Sequence, residues 1–502
     1  MVTGALTAVA TALAVVAVLS LPWWLPGRVV ALRVRVFNRV NGDEGIPVPG
    51  DLVGIERFKE VYSHPAAGGR SKGAALSDLF WYWLAPGPEM HQEHLEAGER
   101  YDAVARATRG FLSIPRTEAE ELTRRCVTRT LREAGGLVRL RDLMMPLWAE
   151  FSYELVFGRP CPRTARDLIA GNANDVVTSL KCCGLRHMDR RDRLTRYLMD
   201  RLPLVRQPLP EGLSAREQAL YLQGAFFNTA VVQLSEAMAH LLMVLAQHPD
   251  VQARALTGGP RYLDQVIAET LRLYPLFGIA HRVTTGDIPL DEHTVIPAGS
   301  VLCFNYPEFH RAGFTDPDHF DPSRFGPDRS DPARLHPDRL DPVQSQPDHF
   351  SPAQSHPDHF DPGRSHADRF DQAHPRPHRT AVRELNHIPF GVAANRPCPA
   401  WRLAPIAMRV AAEEILRLYA LDSTASHTRS LPNRGPCLLT PRYARRSAAH
   451  RPLLLFVRFR DRWEDVWRSL VQLVLGTYMV WDARRQRLCE RHFADDGQPV
   501  AH

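Results

Sequence analysis

Apolar residues recur with helical spacing over residues 117–134, 215–247 and 260–274, which predicts three amphipathic or buried helices, the second long enough to cross a whole domain. Short alternating, β-like runs occur only around residues 286–303 and near Cys437. The expected architecture is therefore mostly α with small β-sheets. No glycine-rich loop follows a strand, so nucleotide binding of the P-loop or Rossmann kind has no support.

The two ends of the chain carry patterns of their own. Residues 1–27 contain no charged side chain, residues 5–21 are almost continuously apolar, and Trp23 and Trp24 precede Arg28, Arg33, Arg35 and Arg39. A helix rising about 1.5 Å per residue needs about 20 residues to cross the hydrocarbon core. This predicts an N-terminal transmembrane anchor over residues 1–27, with the arginines keeping the body of the protein cytoplasmic. A cleaved secretory signal is the rival reading, but it would have a positive segment ahead of the apolar run. Within a C-terminal extension of residues 446–502, Trp463, Val466, Trp467, Leu470, Val471 and Val474 share one helical face. Such a stripe suits packing against the main body, a membrane surface or a partner equally well.

Composition narrows the function. With 62 Lys plus Arg against 56 Asp plus Glu, the 502-residue chain has a formal charge of +6. Only Lys59, Lys72 and Lys181 are lysines, and no basic stretch is interleaved with stacking aromatics, so a nucleic-acid partner is not expected. The eight cysteines contain no C-x-x-C pair, which argues against structural zinc or a disulfide scaffold and for a reducing compartment. The neighbours Cys182 and Cys183 read as packed thiols.

Residues 317–376 form six ten-residue copies, beginning PDHFDPSRFG and PDRSDPARLH, that hold 11 of the 41 prolines. A unit this short, with two prolines and no apolar stripe, cannot stack into a solenoid. A mobile, extended surface insertion is expected. Its Asp-His pairs, such as Asp318-His319 and Asp358-His359, read more readily as solvated side chains than as a metal site.

Three segments carry candidate chemistry: Glu269 and Arg272 on one face of the helix AETLRLYP, Arg324 in the turn HFDPSRF, and PFGVAANRPC, in which Phe390 and Arg396 precede Cys398. Each alone has an ordinary structural explanation. In this order they resemble the cytochrome P450 family of haem-thiolate monooxygenases, over about residues 47–445 and most specifically over 220–421. The resemblance implies a cytochrome P450-like fold for residues 28–445, with Glu269, Arg272 and Arg324 locking the core beneath haem b. It implies Cys398 as the axial iron ligand, Arg282 and Arg396 as partners of the propionates, and Phe390 beside the cofactor. A thiolate ligand pushes electron density onto iron and favours O–O cleavage.

The implied activity is hydroxylation or epoxidation of a hydrophobic small molecule. It would use O2 and electrons passed from NAD(P)H through a ferredoxin or flavoprotein docked on the cysteine side. The alternatives are a haem enzyme that uses peroxide or rearranges an oxygenated substrate, and a non-catalytic accessory protein of the same fold.

The sequence departs from the family pattern in two places. Ala394 and Ala400 stand where glycines belong, and Phe390 lies one residue early, with Gly391 in its place. In the central helix the usual acid and alcohol fall on Val232 and Gln233. Asn228 and Thr229, one turn earlier, serve oxygen chemistry if the helix carries a bulge, or else Gln233 positions a water. His94 and Arg100 are candidates for the helix on the N-terminal side of the haem. Arg324 is the best local match to the core arginine, whereas Arg364, in a later repeat copy, lies nearer the cysteine loop.

Overall fold

The computed structural model describes residues 2–41, 45–70, 91–92, 95–132, 134–185, 187–276, 278–326, 386–392, 394–425, 427, 435–444 and 450–487. All but the first copy of the decapeptide repeat, Arg364 and His94 lie outside them.

Helices dominate the described residues, and three small sheets fasten their edges. In the first sheet β1 (Gly45–Val48) runs parallel to β6 (Val301–Asn305), which pairs antiparallel with β3 (Ile279–Val283). The second is β2 (Gly136–Arg139), β8 (Pro436–Pro441) and β7 (Tyr419–Asp422), all antiparallel, and the third is the pair β4 (Ile288–Pro289) and β5 (Val295–Ile296). Strands β4, β5, β6 and β8 occupy the regions that alternation marked. Strands β1, β2, β3 and β7 were not anticipated, because four or five residues paired to distant segments leave little local periodicity.

The helix expected over 260–274 is Gly259–Leu273, and the one expected over 117–134 is Arg116–Leu131. The long central helix starts at a capping box, in which Ser214 accepts from the Glu217 amide and Glu217 accepts from the Ser214 amide. It runs as α-helix over Ala215–Leu222, widens to a π-helix over Gln223–Ala230, and returns to α-helix over Val231–Gln247. His248-Pro249 ends it. Although this helix is long and apolar enough to cross a membrane, most of it is buried among its neighbours, as the core helix of a globular body.

Two apolar cores result. The larger joins the central helix to the helices Leu140–Phe157, Gly259–Leu273 and Leu403–Leu418, with Trp148, Phe226 and Phe227 among its fully buried side chains. The smaller lies under the first sheet, where Phe58 stacks on Phe309 with ring centroids 4.0 Å apart. Burying each such aromatic contributes about 1.5–3 kcal/mol.

Outside these cores, the N-terminal helix Val2–Asn41 contains a stretch, Thr7–Leu32, long and apolar enough to span a membrane and scarcely buried by the rest of the chain. It packs against the C-terminal helix His450–Gln486.

Candidate functional site

The Gly259–Leu273 helix brings Glu269 and Arg272 to one face, and both side chains are fully buried. Arg272 donates through Nε to Glu269 Oε2 at 2.6 Å and through Nη2 to Oε1 at 2.8 Å. Arg324 comes from the turn Pro322–Phe325, where Asp321 accepts from the Ser323 amide and Pro322 fixes φ. Its Nε lies 3.4 Å from Glu269 Oε1, and its other nitrogens donate to the carbonyls of Thr315 and Asp316. Glu269 Oε1 also accepts from the Asp321 amide at 3.0 Å. The three residues expected to share a core do meet, and the first repeat copy supplies the described arginine.

The cysteine loop is built by a small hairpin. Gly391 has φ +75, which favours glycine, and a Cβ there would lie 3.2 Å from the Tyr62 hydroxyl, a tight contact that glycine avoids. Val392 and Asn395 then bridge, and the Cys398 amide donates to the Phe390 carbonyl at 2.9 Å. The extra residue is thereby absorbed within the hairpin, and Phe390 still packs against the large core. Ala394 is exposed, so its methyl group meets water rather than a crowded backbone. Cys398 is half-buried, shortly before the helix Leu403–Leu418.

Two guanidiniums converge on this loop. Arg396, itself at φ +49, donates to the carbonyls of Gln92 and Leu95 at 2.8 and 2.9 Å and lies over the Tyr101 ring. Arg282 on β3 is 3% exposed, lies 4.0 Å over the Tyr62 ring, and donates to the carbonyls of Tyr62 and Asn395. No carboxylate pairs with Arg282 among the described residues. A buried, uncompensated charge costs several kcal/mol, so this position asks for an anion.

Sequence reasoning missed Asn395, whose side-chain amide donates to the carbonyls of Tyr62 and His64 and ties the loop to the first core. Its only signal was adjacency to Arg396. His310 was missed as well. It is buried, and its Nε2 accepts the Ile388 amide at 3.1 Å, just ahead of the cysteine loop. Burial and the nearby Arg272 guanidinium push its pKa down to about 3. The fold thus holds it neutral, whereas the unfolded chain protonates it below about pH 6.5. Its stabilising effect is complete above that pH and declines as pH falls below it, by about 2 kcal/mol at about pH 5. Thermal unfolding of the wild type should accordingly weaken between neutral pH and about pH 5, and His310→Gln, which keeps an acceptor but cannot titrate, should weaken less.

In the π-helical segment Asn228 is buried and accepts a hydrogen bond from Asn172. The bulge on which a role for Asn228 and Thr229 depended is therefore present. Thr229 and Gln233 are half-buried, and no hydrogen bond links either to the cysteine loop among the described residues. Arg100, a candidate for the helix beside the haem, instead pairs with Glu217 at the surface, 3.4 Å away. Its neighbour Tyr101 is the residue that reaches the site.

Comparison with solved structures places this arrangement. Ligand-free cytochrome P450 OleT superposes with a TM-score of 0.56 at 15% identity, covering 78% of this chain and 88% of that one. The chain has the cytochrome P450 fold. The retinoic acid-bound cyanobacterial cytochrome P450 CYP120A1 gives a TM-score of 0.52 at 18% identity, covering 77% and 87% of the two chains. Residues 261–444, which hold Glu269, Arg272, Arg282, Arg324, Arg396 and Cys398, match the family model Cytochrome P450.

Curated relatives align over shorter segments. A probable cytochrome P450 4s3 of Drosophila melanogaster is 39% identical over 103 residues, 18% of this chain and 21% of its own length. A cyclooctat-9-en-7-ol 5-monooxygenase of Streptomyces melanosporofaciens is 30% identical over 155 residues, 27% of this chain and 32% of its own length. The chain thus aligns with between a fifth and a third of these cytochromes P450.

Proposed function

We propose that this chain is a haem-thiolate oxidoreductase acting on a hydrophobic small molecule, with Cys398 as the iron ligand and Arg282 and Arg396 holding the propionates. The observation that carries this reading is Arg282, a buried guanidinium beside the cysteine loop with no carboxylate among the described residues to neutralise it. A cofactor edge bearing carboxylates supplies that charge, and the residues present fit the group. Haem, when bound, supplies an iron at which oxygen or peroxide is activated. Glu269, Arg272 and Arg324 clamp the turn of residues 315–324 to the Gly259–Leu273 helix. Asn395 ties the hairpin that carries Arg396 to the carbonyls of Tyr62 and His64, and its own carbonyl accepts from Arg282.

Two oxidants suit the site. Molecular oxygen with electrons from NAD(P)H through a ferredoxin or flavoprotein requires protons at the reacting centre. Val232 cannot move one, which leaves Thr229 on the widened segment and Gln233 just beyond it, with Asn228 held by Asn172, to position water. The missing acid favours a second reading, in which the oxidant arrives already reduced as a peroxide. The Thr7–Leu32 segment would fasten the enzyme to a membrane.

Haem titration of purified apoprotein tests the central claim. Arg282→Leu removes the buried cation while keeping an apolar stem, and is expected to weaken haem retention by about tenfold or more, the equivalent of about 1.4 kcal/mol or more. Unchanged haem affinity in a folded variant would overturn the propionate assignment. Turnover that requires a reductase and O2, set against turnover driven by hydrogen peroxide alone, separates the two oxidants.

A further inference from the structure

The C-terminal helix divides the apolar stripe read from its sequence, burying Val466 and leaving Trp467, Leu470 and Val474 exposed. Toward the body it presents Val457, Asp461, Asp465, Ser469, Gln472 and Met479, all buried, and Gln472 donates to the Lys181 carbonyl at 2.8 Å. The outward face carries Phe459, Trp467, Leu470, Val474, Tyr478 and Trp481, every one exposed, with Trp467 at 67% and Val474 at 68%. Their spacing of three to four residues, with half-buried Trp463 completing the row, makes a continuous stripe about 33 Å long. An unbroken row of large apolar side chains marks a contact surface rather than the scattered exposure of ordinary proteins.

Three observations identify what covers it. First, the helix that carries the stripe packs on the N-terminal helix, where Arg462 lies 5.0 Å over the ring of Trp23, in the C-terminal half of the segment Thr7–Leu32 that is long and apolar enough to span a membrane. Second, charge on this helix is sorted. Asp461, Asp465 and Asp482 are buried, whereas Arg458, Arg460, Arg484 and Arg485 are exposed around the two ends of the stripe. Third, a cavity of about 350 Å³ opens beside Trp467, lined by Arg139, Arg141, Arg468 and Thr178 together with Glu464. Glu464 is already shared by Arg139, Arg460 and Arg468. Arg141 is fully buried and bonded to Glu236 through Nη1, but its Nε and Nη2 have no hydrogen-bond partner among the described residues.

We propose that the outer face of the C-terminal helix docks on an anionic phospholipid surface, with Trp467 and its stripe in the acyl boundary and a lipid phosphate in the arginine-lined cavity beside it. This makes a second membrane attachment, lying in the interface next to the spanning N-terminal helix. The inference rests on the reading of Thr7–Leu32 as a membrane span.

The test uses the full chain in vesicles of phosphatidylcholine, with and without phosphatidylglycerol, doped with a phospholipid that carries a photoreactive acyl chain. Cross-linked peptides are mapped by mass spectrometry. Cross-links are expected in two sets, one within residues 7–32 and one on the outward residues of 459–481, the second rising about tenfold with phosphatidylglycerol. Trp467→Glu combined with Val474→Glu should abolish the second set and leave the first. Arg468→Ala should cancel the rise with anionic lipid while circular dichroism stays unchanged.

Cross-links confined to residues 7–32, or a second set indifferent to phosphatidylglycerol, would overturn the proposal and leave the anchor intact. Protein-to-protein cross-links through residues 459–481, with none to lipid, would assign the stripe to a second copy and overturn it too. Absence of both lipid sets would defeat the anchor reading along with this one.

Discussion

Cys398→Ala is expected to eliminate the red-shifted Soret band of the reduced, carbon monoxide-treated protein and to reduce turnover by about a hundredfold or more, the scale on which loss of an essential group acts. The change should be local. Cys398 is half-buried, and the hydrogen bond that closes its loop, to the Phe390 carbonyl, comes from its backbone amide rather than its sulfur. Unfolding by urea should therefore move little while the spectrum changes completely. If the alanine variant kept the thiolate-type spectrum, iron ligation would have to come from another of the cysteines. Cys126 and Cys437 are poor substitutes, since burial raises their pKa values well above the ordinary thiol range, for Cys437 to about 12.

The second large effect concerns the buried ion pair. Arg272→Leu leaves Glu269 fully buried, with Arg324 at 3.4 Å and the Asp321 amide as its remaining partners. Breaking one side of such a pair costs about 3–5 kcal/mol. That is a large share of the roughly 5–15 kcal/mol that stabilises a typical domain, about a fifth or more. Arg272 also donates to the Pro317 carbonyl and lies over the Phe314 ring, so its loss frees the turn that carries Arg324. The variant should unfold at markedly lower urea and be recovered mostly without haem. Arg324→Ala should cost less, because Arg272 keeps its paired bonds to Glu269 and only the outer guanidinium is removed. A wild-type urea midpoint for Arg272→Leu would mean that this cluster does not hold the core.

Much of this site was legible in the chain because its parts are local. A Glu and an Arg three residues apart on an apolar helix, an Asp-Pro turn with an Arg, and an Arg-Pro-Cys after a glycine each specify their own short conformation. The π-helical widening at Gln223–Ala230 was anticipated only as a condition for using Asn228, since nothing within those eight residues distinguishes five-residue from four-residue hydrogen bonding. Asn395 and His310 escaped notice because their roles depend on partners hundreds or tens of residues away, the carbonyls of Tyr62 and His64 for one and the Ile388 amide for the other. Arg100 pairs with Glu217, and it is the neighbouring Tyr101 whose ring lies under Arg396. Whether a helix turns Arg100 or Tyr101 toward the loop depends on what packs behind it.

The sequence by itself determined that the chain is mostly helical, that one apolar segment at its N-terminus is long enough to span a membrane, and that Glu269, Arg272, Arg324 and Cys398 occur in a meaningful order. Spacing and side-chain chemistry are properties of short segments and survive being read one residue at a time. Only the tertiary structure decided that the extra residue of the cysteine loop folds into a hairpin, that Arg282 is buried without a carboxylate partner, and that the C-terminal helix presents Trp467 and Trp481 outward. A helix with apolar residues on one side and Val457, Gln472 and Met479 on the other can bury either, and the choice is made by the surface it meets, through the fit of Gly476 on Cys182 and of Glu464 on Arg139.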